Sequence, residues 1–407
     1  MKSDLDALMQ ARNLEAIIVL GNAEHNPPMY YLTGGGHINK AVLIKKRSEA
    51  PVLYCNAMER DEAEKSGLKV IPQRTGAMDE LAKRPKEILN ECGILSGRVG
   101  VFGHTDLGMS LHIVEAVKAE MPGLELVGES WDNSLFMYAM ETKDESEVER
   151  IRKMGRVTAA VVGKVRDYLT SCDVRDDEVL LKEDGSPLSV GDVHSKIRLW
   201  VAELGAELPS GFIFAVGRDA GVPHSSGNPA DLMRLGQTIV FDIYPAEAGG
   251  GYYYDFTRTW SLGYAAHEAQ KLYDEVKDVY EKVIENIDMN AAFKDYQKFV
   301  CDVFNANGHK TPMHIEGVLT EGYVHSLGHG IGLNLHERPW SRHTSSEDNR
   351  LVPGTVFTVE PGLYYPEKGM GFRIEDSYWM RPDGTVEKLA DYPYDFVLPM
   401  KKWKVSK

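Results

Sequence analysis

The 407-residue sequence is poor in cysteine, has no long apolar run and carries no excess of positive charge. Its four cysteines, Cys55, Cys92, Cys172 and Cys301, are far apart and form no CxxC or CxxH pattern. They read as free thiols in a reducing compartment, not as disulfides or a zinc site. The amino-terminal stretch has acidic residues early and only a short apolar run, Ala16 to Leu20. A secretory signal needs a longer apolar region and a membrane span roughly 20 such residues, so a cytoplasmic protein with no membrane partner is expected. Forty-six basic against 61 acidic side chains give a net charge of −15. That balance excludes a broad basic surface for nucleic acid or anionic lipid. Also missing are a GxGxxG or GxxxxGK phosphate loop and any short tandem repeat, which argues against a dinucleotide fold, a solenoid or a propeller.

What is present is an ordinary globular composition, 43% hydrophobic and 26% charged, long enough for two or three domains. The first 130 or so residues alternate helical and strand-like segments. A helix capped by Ser3 runs to Arg12, strands cover Ala16–Leu20, Ala41–Lys45 and Arg98–Phe102, and helices cover Met78–Cys92 and Leu111–Met121. Gly34-Gly35-Gly36 reads as a turn. A second start signal is Thr142-Lys143-Asp144-Glu145, in the form of a capping box. Val148, Ile151, Met154, Val157, Val161, Val165 and Leu169 then mark one long amphipathic helix. Asp173 to Gly191 reads as an exposed connection, followed by a helix from Val193 to Leu204 stopped at Gly205. Beyond Gly211 the chain turns strand-rich: Phe212–Val216, Gln237–Tyr244 and Tyr252–Leu262 precede helices at His267–Ile287 and Ala291–Asn307. Strands return at Val356–Tyr365 and Gly371–Met380.

Several polar residues stand where this patterning predicts core. Asp242 shares a strand face with Val240 and Tyr244, and Asp255 follows three tyrosines. Glu360 closes Val356–Val359, and Glu375 shares a strand face with Arg373. Burying an unpaired carboxylate costs several kcal/mol, and such charges pair or bind a metal. His325, His329 and His336 cluster within thirteen residues, among glycines 328, 330 and 332 that let backbone crowd close to a bound group. Lone histidines such as His104 and His267 read as surface or satisfied core residues. Four carboxylates and one imidazole suit two divalent ions bridged by carboxylates, and favour manganese, iron or cobalt over thiolate-type zinc. Metal-assisted hydrolysis is the reaction class.

At these residues the sequence resembles the pita-bread metallopeptidases, in particular the proline-specific branch of Xaa-Pro aminopeptidases and Xaa-Pro dipeptidases (prolidases). The resemblance covers the whole chain. It implies an α/β creatinase-like domain at residues 1–135, including Tyr31-Leu32-Thr33-Gly34, and an α+β pita-bread catalytic domain at 140–407. It implies Asp242, Asp255, His329, Glu360 and Glu375 as ligands of two divalent ions per subunit, manganese first, with cobalt, iron or zinc as alternatives. Glu360 would also be the general base, and Arg373 would orient the ligands. His224 and His336 resemble the pair that steadies the substrate carbonyl and the tetrahedral intermediate. His325 resembles a histidine typical of the proline-specific branch and would contact substrate. The expected substrates are proline-containing peptides, because proline's ring nitrogen lacks an N–H and general peptidases handle the preceding bond poorly. A homodimer is also implied.

Two departures from the family pattern stand out. Asp242 and Asp255 are thirteen residues apart where eleven is usual; an even insertion preserves strand facing. The position four residues beyond His336, where prolidases often carry a carboxylate-gripping arginine, is Trp340, flanked by Arg338 and Arg342. A creatinase-like amidinohydrolase working without metal, or a non-catalytic pita-bread binding protein, would share this architecture. Retention of all five ligand positions speaks against both.

Overall fold

The computed structural model describes residues 4–403. The chain forms two compact units, Met1–Thr142 with Ala248–Gly251, and Lys143–Glu247 with Tyr252–Lys407.

The first unit is built on a six-stranded mixed sheet. Helix α1 (Leu5–Ala11) leads into β1 (Ala16–Gly21), followed by α2 (Pro27–Thr33), β2 (Ala41–Lys46), β3 (Val52–Asn56) and β4 (Lys69–Gln73). Then come α3 (Ala77–Lys83), α4 (Pro85–Glu91), β5 (Gly97–Phe102), α5 (Leu107–Glu120) and β6 (Leu124–Val127). The strand order is β4-β3-β2-β1-β5-β6. β1 runs antiparallel to β2 and parallel to β5. Ile18, Leu20, Val42 and Ile44 of the sheet pack with Leu81, Leu89, Ile113 and Val117 of the helices. Ser3, expected to cap α1, lies outside the described residues, and Asp4 occupies the cap position. The single helix expected over Met78–Cys92 is two, broken at Arg84, which precedes Pro85 and takes an extended φ of −141°. Proline has no N–H and clashes with a helical residue before it, which the apolar spacing alone concealed. Gly34 ends α2 in the left-handed region at φ 83°, where the turn requires glycine.

The second unit opens with α6 (Glu145–Ser171). Its capping box is formed by Asp144 and Glu147, not by Thr142 and Glu145 as the sequence pattern suggested. Asp144 Oδ1 accepts from the N–H groups of Ser146 and Glu147, at 2.9 and 3.0 Å, and Glu147 returns a bond to the Asp144 N–H. Asp144→Ala is expected to cost about 1 kcal/mol of unfolding free energy in a denaturant titration. The segment after α6 is also more ordered than its polarity suggested. Asp173–Val174 pairs with Leu180–Leu181, and Val179, Leu180 and Leu188 are buried. Helix α7 (Val190–Glu203), capped by Ser189, begins three residues before the expected start.

Besides the short pair Ala206–Glu207 and Ala246–Glu247, the later strands are β7 (Phe212–Val216), β8 (Thr238–Ile243) and β9 (Phe256–Leu262); after helices α8 (His267–Glu285) and α9 (Phe293–Ala306) come β10 (His329–Gly330), β11 (Glu337–Trp340), β12 (Val356–Val359), β13 (Gly362–Tyr365), β14 (Met370–Arg373), β15 (Asp376–Met380), β16 (Val386–Lys388) and β17 (Val397–Leu398). They form a four-stranded sheet, β7-β8-β9-β17, a five-stranded sheet, β11-β10-β12-β15-β16, and the hairpin β13-β14. The apolar faces of α8 and α9, with Leu272, Val276, Val300 and Phe304, pack against Phe357, Val359 and Phe372.

Three expected strands are interrupted. Tyr252–Leu262 is a strand only from Phe256, Val356–Tyr365 breaks at Glu360-Pro361, and Gly371–Met380 breaks at Ile374-Glu375. Each break falls beside a carboxylate that is buried or half-buried, so Asp255, Glu360 and Glu375 sit at strand ends. Among the described residues no helix is long and apolar enough to cross a membrane. The four cysteines are free thiols.

Candidate metal centre

β8 is buried along its whole length between β7 and β9. Its register places Asp242 opposite Thr257. Asp255, one residue before β9, accepts the N–H of Phe256 at 2.9 Å through Oδ1. The backbones of Thr257 and Glu375 exchange two hydrogen bonds at 3.3 and 3.1 Å. The Thr257 hydroxyl donates to Glu375 Oε2 at 2.8 Å and accepts from Arg373 Nε at 3.2 Å. Arg373 and Glu375 therefore act on the same side, as alternation predicts, although their strand is broken between them. Arg373 also donates to Asp242 Oδ2 at 2.5 Å and to the Tyr364 hydroxyl at 2.6 Å.

His329 enters from the other sheet. Its Nδ1 faces the Gly330 carbonyl at 3.0 Å, which makes that nitrogen the donor. Nε2 is left with a lone pair, 3.6 Å from both Asp255 Oδ2 and Glu360 Oε1. That distance is too long for a hydrogen bond and leaves room for an atom between them. One ligand atom each from Asp255, His329 and Glu375 lies within 4.8 Å of the others.

The electrostatics are those of an over-negative pocket. Burial, then the charges of Asp242 and Glu360, holds the Asp255 carboxyl well above its ordinary range. Glu375 is raised in the same way, by burial and then by Asp255. Glu360 is pushed up to about 8 by burial, with Arg373 opposing and Asp242 adding. Burial also drives His329 well below its usual value, so it is neutral. Four carboxylates thus face one guanidinium. Asp242 Oδ1 and Glu375 Oε1 are buried with no hydrogen-bond partner among the described residues. Orphaned buried carboxylate oxygens are costly, and their lone pairs are what a hard cation takes. The donor set of five side chains fits two divalent ions: carboxylates in excess, one neutral imidazole, no thiolate.

Three further histidines border this group. His325 Nδ1 meets the Ser326 carbonyl at 2.8 Å, and its Nε2 accepts from the Tyr364 hydroxyl at 2.8 Å. Burial, then the Arg373 charge, lowers its pKa to about 3. The His336 ring stands edge-on to that of His329, with centroids 4.3 Å apart. His224 is exposed and acts electrostatically on both His325 and His336.

Thr257 and Tyr364 went unmarked in the sequence reading. The signal for Thr257 is its place two residues after Asp255, on the same side of the chain; Tyr364 lies within the expected strand Val356–Tyr365 with no signal of its own. The close glycines let the backbone approach neighbouring protein groups. A Cβ at Gly328 would come 2.1 Å from the Thr358 carbonyl oxygen, and one at Gly330 1.8 Å from that of Arg338. Arg338 is buried and paired with Asp348 at 3.0 Å, whereas Arg342 is exposed, its guanidinium 5.3 Å from the Trp340 ring centroid.

Without cations, Asp255, Glu360 and Glu375 titrate higher in the fold than in the unfolded chain. The stability linked to them is full at low pH and lost as pH rises through the folded values, about 8 for Glu360. His325, depressed from 6.5, contributes stability that is complete above 6.5 and lost on acidification. Across about pH 6.5–8.5 the carboxylates set the sign of the slope, and the buried cysteines, raised from 9.0, add to it at the upper end. The melting temperature of chelator-treated protein is therefore expected to fall across that window, and added Mn(II) to flatten the fall. A chelated protein that grows more stable over the same range would contradict this.

The model of metallopeptidase family M24 matches residues 149–382, more than half of the chain and all five candidate ligands. The protein belongs to metallopeptidase family M24. The creatinase/prolidase N-terminal domain model matches residues 2–130. Together they make this an M24 chain with a creatinase-type amino-terminal domain and a pita-bread catalytic domain. Among curated relatives, the probable dipeptidase PepE of Mycobacterium tuberculosis is 28% identical over 63% of this chain and 60% of its own length. The match to that relative thus spans under two thirds of it. The Xaa-Pro dipeptidase of Pyrococcus horikoshii is 24% identical over 93% of each chain. Among solved structures, the X-Pro aminopeptidase of Thermotoga maritima superposes with a TM-score of 0.73 at 20% identity, covering 94% of this chain and 97% of that one.

Proposed function

We propose that this M24 enzyme is a two-metal exopeptidase that hydrolyses the bond between an amino-terminal residue and proline. In this reading residues 140–407 carry catalysis, residues 1–135 form a separate domain, and the enzyme works as a cytoplasmic homodimer loaded with manganese. The observation that carries the reading is the pair of orphaned buried oxygens, Asp242 Oδ1 and Glu375 Oε1, within a group of four carboxylates around a neutral imidazole. The naming of the Pyrococcus relative as an Xaa-Pro dipeptidase supports the substrate class.

Asp242, Asp255, His329, Glu360 and Glu375 would hold the two ions. When bound, the ions supply water activation and Lewis-acid polarisation of the scissile carbonyl. Glu360 is the general base: its carboxyl lies at the edge of the group, 3.6 Å from His329 and 4.0 Å from His325. His336 and His224, on the solvent side, donate to the oxygen that gains charge, and one of them passes a proton to the leaving ring nitrogen. Arg373 holds the Asp242 carboxylate and the Tyr364 hydroxyl in place. Tyr364 in turn donates to His325 and presents it to the proline residue.

The test is hydrolysis by chelated and then Mn(II)-reloaded protein of Xaa-Pro dipeptides, Xaa-Pro-Yaa tripeptides and matched peptides without proline. Metal-dependent turnover of the proline peptides alone is expected. Dipeptides alone mean a dipeptidase, and tripeptides as well mean an aminopeptidase. Equal turnover of peptides without proline, or full activity after chelation, would overturn the reading.

A further inference from the structure

One buried ion pair in the catalytic unit takes no part in holding metal. Glu337 and Lys143 have side chains 0% and 2% exposed, with Nζ 2.6 Å from Oε2. Replacing such a pair by apolar residues is often neutral or stabilising, so its presence calls for a job other than stability.

Its surroundings show what it holds. Glu337 directly follows His336 and begins β11. Its other oxygen, Oε1, accepts the Asn334 N–H at 2.9 Å, closing the turn on which His336 is carried. The Asn334 carbonyl accepts from Gly332 N–H at 3.1 Å, and the Gly332 carbonyl from Tyr253 N–H at 2.8 Å, two residues from Asp255. The pair fills the space at Gly332 completely: a Cβ there would come 2.6 Å from Glu337 Oε2 and 2.7 Å from Lys143 Cε. Lys143 is fixed in turn by its N–H, which donates to the Gly354 carbonyl at 2.8 Å. The strand pairing of β10 and β11 shifts register between His329 and Gly330, so ladder bonds alone do not fix the turn against His329.

We propose that the Lys143–Glu337 ion pair is a positioning device that sets the His336 ring against His329 and the reacting centre. The importance of His336 rests on the functional reading above; the positioning itself is measured independently of it.

The experiment uses the full-length, metal-loaded chain and the variants Glu337→Gln, Lys143→Met and Lys143→Arg. Diethyl pyrocarbonate labelling of His336, read by peptide mass spectrometry, reports how the ring is held, with exposed His104 and His267 as internal controls. Circular dichroism and metal content report fold and loading. We expect Glu337→Gln and Lys143→Met to melt lower, as an unpaired buried charge requires, yet to keep fold and loading at 25 °C and to label several-fold faster at His336 only. We expect kcat on Xaa-Pro peptides to fall about 10- to 100-fold with little change in KM, and Lys143→Arg to restore most of it. Unchanged His336 labelling in Glu337→Gln would overturn the proposal. So would loss of fold in both charge-removing variants, which would assign the pair to stability. A wild-type chain inactive on every Xaa-Pro peptide, with His336 labelling still accelerated in Glu337→Gln, would sink the functional reading and leave the positioning role standing.

Discussion

Glu375→Gln is expected to lower Xaa-Pro hydrolysis by at least about a thousandfold, about 4 kcal/mol in the barrier. Glu375 Oε2 is occupied by the Thr257 hydroxyl, and Oε1 is buried with no partner among the described residues. An amide in its place keeps the bond from Thr257 but removes the charge and turns one terminus into a donor. A donor cannot face a cation, so the variant should also bind fewer than two ions. Its fold should survive, because removing one buried negative charge relieves repulsion from Asp255, Glu360 and Asp242. Metal analysis alongside kcat/KM checks both points. A fully active variant would contradict the assignment of Glu375.

Arg258→Leu is expected to have the largest effect on stability, about 3–5 kcal/mol, lowering the melting temperature by roughly 10 °C. Arg258 and Asp376 are completely buried and paired at 2.9 Å. The guanidinium also donates to the carbonyls of Thr257 and Glu375, at 2.9 Å each, and to those of Tyr392 and Pro393. On the far side Asp376 accepts from the hydroxyls of Tyr280 and Tyr394, at 2.5 and 2.7 Å. Leucine would leave the Asp376 carboxylate without its counter-charge and take one donor from each of four carbonyls, of which those of Thr257 and Glu375 keep their mutual backbone bonds. Tyr280→Phe removes one donor and leaves the charges matched, so about 1 kcal/mol is expected. Thermal melts of both variants make the comparison, and similar losses in the two would show that the charge pair is not what matters.

The site was legible because its residues violate the pattern around them. Asp242 in an all-apolar strand and Glu360 at the end of another cannot be explained by packing, and a charge at a position patterned as core is what makes them informative. The element types of the second unit followed from the same patterning. What stayed hidden depends on contacts between distant segments. Thr257 meets Glu375 and Arg373 across more than a hundred residues, and its place two residues after Asp255 says nothing of those partners. Lys143 stands in the sequence only as a member of a capping motif, and its partner Glu337 lies 194 positions away. The broken strands were missed for a related reason. Period-two alternation continues through Ile374 and Pro361, while the backbone there leaves one sheet for another to bring a carboxylate inward. Arg84 before Pro85 was readable from covalent chemistry alone and was masked by the helical spacing of its neighbours.

The central claim is that two cations neutralise this buried negative cluster. Calorimetric titration of Mn(II) into chelator-treated protein, followed by anomalous diffraction from the loaded crystals, tests it directly. The account predicts two ions per chain, ligated by Asp242, Asp255, His329, Glu360 and Glu375. No binding, or ions held elsewhere while these five side chains remain unligated, would contradict it.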